Sequence, residues 1–200
     1  MTKPRGALAT AVARGLIEAH RAGDIARLPR LHAVQTYGCA PLVRAYDAVV
    51  VHILRGMGEE AALLDTIAPA SALARIDRAH VIAARAPRDV VNEALRFAAT
   101  QRSAFMRPWE TEPHSLATGI LDDETYDWLA IVEAMLGSGG YPVLATEDAL
   151  ALANRLARDV TDVDVCMTGT AGLAGLMDAV PLDERLARER VGVVFSGRRR

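Results

Sequence analysis

The segment Val165-Cys166-Met167-Thr168-Gly169-Thr170-Ala171-Gly172-Leu173-Ala174-Gly175-Leu176 decides how the chain reads. An extended apolar approach, 163–167, precedes a stretch in which Gly169, Gly172 and Gly175 recur at every third position. That order predicts a strand feeding a helix, with Thr168-Gly169-Thr170 as the turn between them. In an open α/β sheet such turns lie where strand carboxyl ends meet helix N-termini, and ligands collect there. Bare glycine backbone lets a ring or phosphate come close. The hydroxyls of Thr168 and Thr170 can each donate and accept a hydrogen bond. A plainer reading uses the same residues: Gly and Ala let a helix lie tight on a sheet, and Thr168 is an N-cap. Neither Walker nor G-x-G-x-x-G spacing is present, so the local pattern leaves both readings open.

Working outward, the pattern is that of alternating helices and short strands. Leu8, Val12, Leu16 and Ile17 recur at helical spacing within 6–22, which Gly23 and Asp24 close. The apolar run 31–35, bounded by Pro29 and Gly38, reads as a buried strand. Pro41 suits the first turn of a helix through Leu54. Residues 61–67, 71–84 and 89–101 read as successive short helices, and 106–113 as an irregular loop. The stretch 56–112 is therefore expected to be a helical insertion or rim. A helix over 123–136 ends at Gly137-Ser138-Gly139-Gly140, which is a C-terminal cap and turn, not a phosphate loop. Residues 141–144 read as a strand, and Thr146 caps a helix carrying Glu147 and Asp148 in its positive first turn. Residues 191–195 complete the strands. The expected fold is a three-layer, open, mostly parallel α/β sheet with helices on both faces.

The chain has 200 residues, a formal net charge of −2 and 51% hydrophobic residues, enough for a core. The near-neutral balance argues against a nucleic-acid partner, which needs a concentrated cationic face. Cys39 and Cys166 lie far apart, with neither a disulfide framework nor a zinc spacing. No apolar run is long enough to span a bilayer, and no charged region precedes an apolar stretch as in a secretory signal. The expected setting is cytoplasmic. The histidines form no HExxH pattern, and no Gly-x-Ser-x-Gly elbow occurs.

The quoted segment, followed by Val191-Gly192-Val193-Val194-Phe195-Ser196-Gly197, resembles the C-terminus of fold-type II pyridoxal-phosphate enzymes, the tryptophan synthase β-subunit superfamily. The threonine synthase-like branch is closest. Gly6-Ala7-Leu8-Ala9 resembles the helix start after that family's phosphate loop, and Pro29-Arg30-Leu31-His32-Ala33-Val34-Gln35 its next strand. Pro113-His114-Ser115-Leu116-Ala117-Thr118-Gly119-Ile120 resembles the segment before another helix. These segments occur in the family's order. The resemblance implies an amino-acid lyase or synthase that works by β/γ-elimination or replacement on pyridoxal 5′-phosphate. It places Thr168 opposite the cofactor's pyridine nitrogen, with Gly169, Thr170 and Gly6 as further cofactor contacts. A neutral hydroxyl there leaves the pyridine unprotonated and makes it a milder electron sink.

The family's Schiff-base lysine has no counterpart. Lys3, the one lysine, follows no strand, and Met1-Thr2-Lys3-Pro4-Arg5-Gly6 keeps a single glycine of the phosphate loop. The resemblance therefore covers the C-terminal part of such a domain, and the chain is expected to be inactive alone. A complementary N-terminal half or a second copy is the expected partner. The competing reading is a non-catalytic α/β subunit that binds a partner protein.

Overall fold

The computed structural model describes residues 7–59 and 70–198, which form two compact units. Among the described residues the first holds 7–33, 41–59, 70–108 and 124–142, and the second holds 34–40, 109–123 and 143–198. The helix expected over 61–67 lies outside the described residues.

The first unit is helical. It contains α1 (Ala7–Ala22), α2 (Pro41–Gly56), α3 (Ala72–Arg85), α4 (Arg88–Thr100), α5 (Arg102–Phe105) and α6 (Trp128–Ser138). Pro41 opens α2, where its missing N–H is no loss. Apolar residues cover most of α2: Leu42, Val43, Ala45, Tyr46, Val49, Val50, Ile53 and Leu54 are all buried, while the strip of Arg44, Ala48, Val51 and Arg55 is partly or fully exposed. A helix buried over so wide an arc belongs in the middle of a bundle. Accordingly α3, α4, α5 and α6 all pack on α2. The stretch expected as an insertion or rim thus supplies helices that wrap this central one.

Local rules set the ends of these helices. Ser71 caps α3, its hydroxyl accepting from Ala74 N–H at 3.2 Å. Gly139 ends α6 at φ 73°, the left-handed conformation a glycine cap supplies. A Cβ on the next residue, Gly140, would collide with the Leu31 backbone. The Gly140 carbonyl accepts from the Tyr46 hydroxyl at 3.1 Å. Burial pushes the Tyr46 phenol well above its ordinary pKa, so it stays protonated and donates. An aromatic cluster fills the other side: Phe97 stacks on His52 at 4.6 Å, and Phe105 on Trp128 at 6.2 Å.

The second unit holds β1 (Val34–Thr36), a 3₁₀ turn (Thr118–Ile120), β2 (Val143–Ala145), α7 (Glu147–Val160), α8 (Met167–Ala179) and α9 (Glu184–Ala187). Strands β1 and β2 pair in parallel, Val34 with Val143 and Thr36 with Ala145. Helix α8 covers this ribbon and α7 packs along α8; Ala145, Ala149, Leu150, Ala153, Ala171 and Ala174 form the core among them. Thr146 caps α7 as its position predicts, accepting from Ala149 N–H at 3.2 Å.

This architecture corrects the expected three-layer α/β sheet. Described residues are 59% helix and 5% strand, and the sheet has two strands. Of four runs read as strands, 31–35 and 141–144 contribute β1 and β2, which start three and two residues later than expected and each end one residue later. The other two form no ladder. Val165 makes one isolated antiparallel bridge to Arg198, and 191–195 pairs with no strand. Instead, the Val193 side chain would stand 3.2 Å from a Cβ on Gly172, so the extended segment lies along α8. Short apolar runs are read as strands because burial and extension look alike in sequence; pairing partners are not visible there.

Candidate functional site

The predicted turn is already helix. Helix α8 begins at Met167, so Thr168, Gly169 and Thr170 occupy its first turn and not a loop before it. The N-cap is Cys166, an uncommon choice, whose sulfur accepts from Gly169 N–H at 3.4 Å. Thr168 therefore is not the N-cap either, and its hydroxyl is left for another partner.

That partner is Gly119. The Thr168 Oγ1 accepts the Gly119 N–H at 2.9 Å. A Cβ on Gly119 would meet Thr168 Oγ1 and Cγ2 at 2.8 Å, so only glycine permits the approach. With one lone pair engaged, the Thr168 hydroxyl proton remains to donate outward. Gly169 is closed from the other side by the backbone of Gly197, which a Cβ would strike. The Gly197 carbonyl also accepts from Cys166 N–H at 3.2 Å. Segments 117–120, 166–170 and 196–197 thus converge on the first turn of α8.

Thr170 points the other way. It is fully buried, its hydroxyl lying 3.3 Å from the carbonyls of both Cys166 and Met167. It also accepts from Asn154 Nδ2 at 3.3 Å. Thr170 therefore ties α8 to α7 and faces no open surface. Gly175 serves packing as well: a Cβ there would come within 2.5 Å of Val34 on β1. Gly6, the fourth predicted contact, and Lys3 lie outside the described residues.

Thr36 was not anticipated. It is wholly buried at the carboxyl end of β1, and its hydroxyl has no hydrogen-bond partner among the described residues. Cys166 and Gly197 were also missed as parts of this turn, since only the folded chain brings them together. Among the described residues no group of His, Cys, Asp and Glu could hold a metal ion, and no helix is long and apolar enough to cross a membrane.

No protein-family model matches the sequence, and no characterised protein matches it significantly.

Proposed function

We propose that this chain forms one wall of a pyridoxal-phosphate site in an amino-acid lyase or synthase of the threonine synthase-like kind, acting by β/γ-elimination or replacement. The observation that carries the proposal is the Thr168 hydroxyl held by Gly119 N–H at 2.9 Å. It joins two segments that independently resemble that family, and it does so at a helix N-terminus.

The residues fit the cofactor. Thr168 accepts one hydrogen bond from the backbone and keeps a proton to give to a pyridine nitrogen. A hydroxyl, unlike a carboxylate, leaves that nitrogen neutral. Gly119 adds no side chain beside the hydroxyl, whereas Gly169 is buried against the Gly197 backbone and serves the packing of the turn. When bound, the cofactor supplies an electron sink for charge developing at the substrate's α-carbon. Thr168 tunes that sink and orients the ring; no residue of this chain is assigned proton transfer. The lysine that would carry the cofactor has no counterpart in this sequence, so it would come from a complementary segment.

The test uses the isotope-labelled chain and pyridoxamine 5′-phosphate, which has the ring and phosphate but no reactive aldehyde. Amide resonances of Gly119, Thr168 and Gly169 are expected to shift saturably at millimolar ligand. Loss of one hydrogen bond in Thr168→Val should weaken binding about tenfold, while Thr168→Ser keeps it. Absence of shifts at these amides, or equal affinity in Thr168→Val, overturns the proposal.

A further inference from the structure

We infer that the exposed face of α7 is a self-association surface on which a second copy of this chain docks antiparallel. Leu152, Leu156 and Val160 stand four residues apart on one stripe of α7 and are 45%, 42% and 68% exposed. Val163, just past the helix end, extends the stripe and is 50% exposed. Single exposed apolar residues need no explanation, but a continuous helical row of them marks a contact surface. The opposite face of the same helix is accounted for, since Leu150, Ala153, Asn154 and Ala157 are buried.

Charge identifies the occupant. Arg155 and Asp159 lie on the same flank of the stripe, four residues apart, and neither forms an ion pair among the described residues. Two-fold pairing of α7 with its copy, centred on Leu156, superposes each residue's level with one equally far on the other side. At a rise of about 1.5 Å per residue, Arg155 then falls within about 3 Å axially of Asp159 on the second copy. The reciprocal pair forms by symmetry, as an isologous interface requires. Leu152 meets Val160 of the second copy, and the two Leu156 side chains meet at the axis. An unrelated partner would need no such self-complementary spacing.

Sedimentation velocity of the whole chain over a range of concentrations tests this. The chain is expected to dimerise, and Leu156→Glu to be monomeric with an unchanged helical circular dichroism spectrum. Arg155→Glu and Asp159→Arg should each weaken association about tenfold by setting like charges opposite one another twice. The double variant Arg155→Glu/Asp159→Arg restores the pairing in reverse and should regain wild-type association. A monomeric wild-type chain, a Leu156→Glu dimer as tight as wild type, or a double variant no better than either single one overturns the inference. The outcome is independent of cofactor binding, which involves α8.

Discussion

Replacing Arg75 by methionine is expected to destabilise the chain by about 3–5 kcal/mol, the cost of leaving a buried charge without its partner. Arg75 is 3% exposed and grips Asp47 twice, through Nε at 2.8 Å and Nη2 at 2.9 Å. It also donates to the Ala70 carbonyl at 2.9 Å, while Ala70 N–H donates to Asp47 at 3.1 Å. The pair thus locks α3 and the chain leading into it onto α2. Burial pushes the Asp47 carboxyl above the ordinary carboxylate range, and its bonds to Arg75 pull part of that shift back. Removing Arg75 leaves only the Ala70 N–H bond and the Arg78 charge to oppose burial, and raises the carboxyl further. The folded variant then holds a proton that the unfolded chain has lost, so its stability falls as pH rises through the raised pKa. The penalty should consequently be largest near neutral pH and shrink in mild acid. Thermal denaturation at several pH values measures this. Arg75→Met/Asp47→Leu, which removes both charges, should recover most of the loss. Equal stability of Arg75→Met and wild type at neutral pH would show that the pair does not hold this unit together.

Gly169→Ala is expected to cost about 1–3 kcal/mol, whereas Gly172→Ala, one turn further along α8, should be close to neutral. Intrinsic propensity favours alanine at both helical positions, by about 1 kcal/mol. Space decides the sign. A Cβ on Gly169 would strike the Gly197 backbone, with its nitrogen at 2.8 Å, and backbone cannot rotate away. A Cβ on Gly172 meets a Val193 side-chain methyl at 3.2 Å, which can shift by a few tenths of an ångström, and the Val194 carbonyl at 3.9 Å, an ordinary van der Waals contact. In Gly169→Ala the 196–198 segment should leave α8, breaking the Cys166 N–H bond to Gly197 and the Val165–Arg198 bridge. Amide exchange at Cys166 would then accelerate, while Asn154 and Thr170 keep their bonds inside the unit. Denaturant midpoints of the two variants, with that exchange rate, check the contrast. An equal gain of about 1 kcal/mol in both would mean that propensity and not the contact governs this turn.

Helix ends were legible because their chemistry is local. Ser71, Thr146, Pro41 and Gly139 act within a few residues of themselves, through a cap, a fixed φ or a left-handed turn. The helical character of 72–100 follows from apolar spacing for the same reason. The sheet was over-read because strand pairing is not local. Residues 163–167 and 191–195 have the apolar, β-branched content of strands, yet where a neighbouring strand was expected the second lies along α8 at Gly172 and the first runs straight into α8, with a single bridge from Val165 to Arg198. Nothing within either run records which of these it meets.

The first turn of α8 divides the same way. Its residue types were readable from the start: two hydroxyls flanking a glycine, at the entrance to a glycine-spaced helix. Their separate duties were not. Thr168 reaches Gly119, 49 positions away, while Thr170, two residues on, turns inward to Asn154 and the Cys166 carbonyl. A helix advances about 100° per residue, so neighbours in sequence face different surroundings. Composition and spacing settle which elements can form and which groups can bond. Which of two like hydroxyls stays available to a ligand depends on long-range packing, because that packing consumes the other.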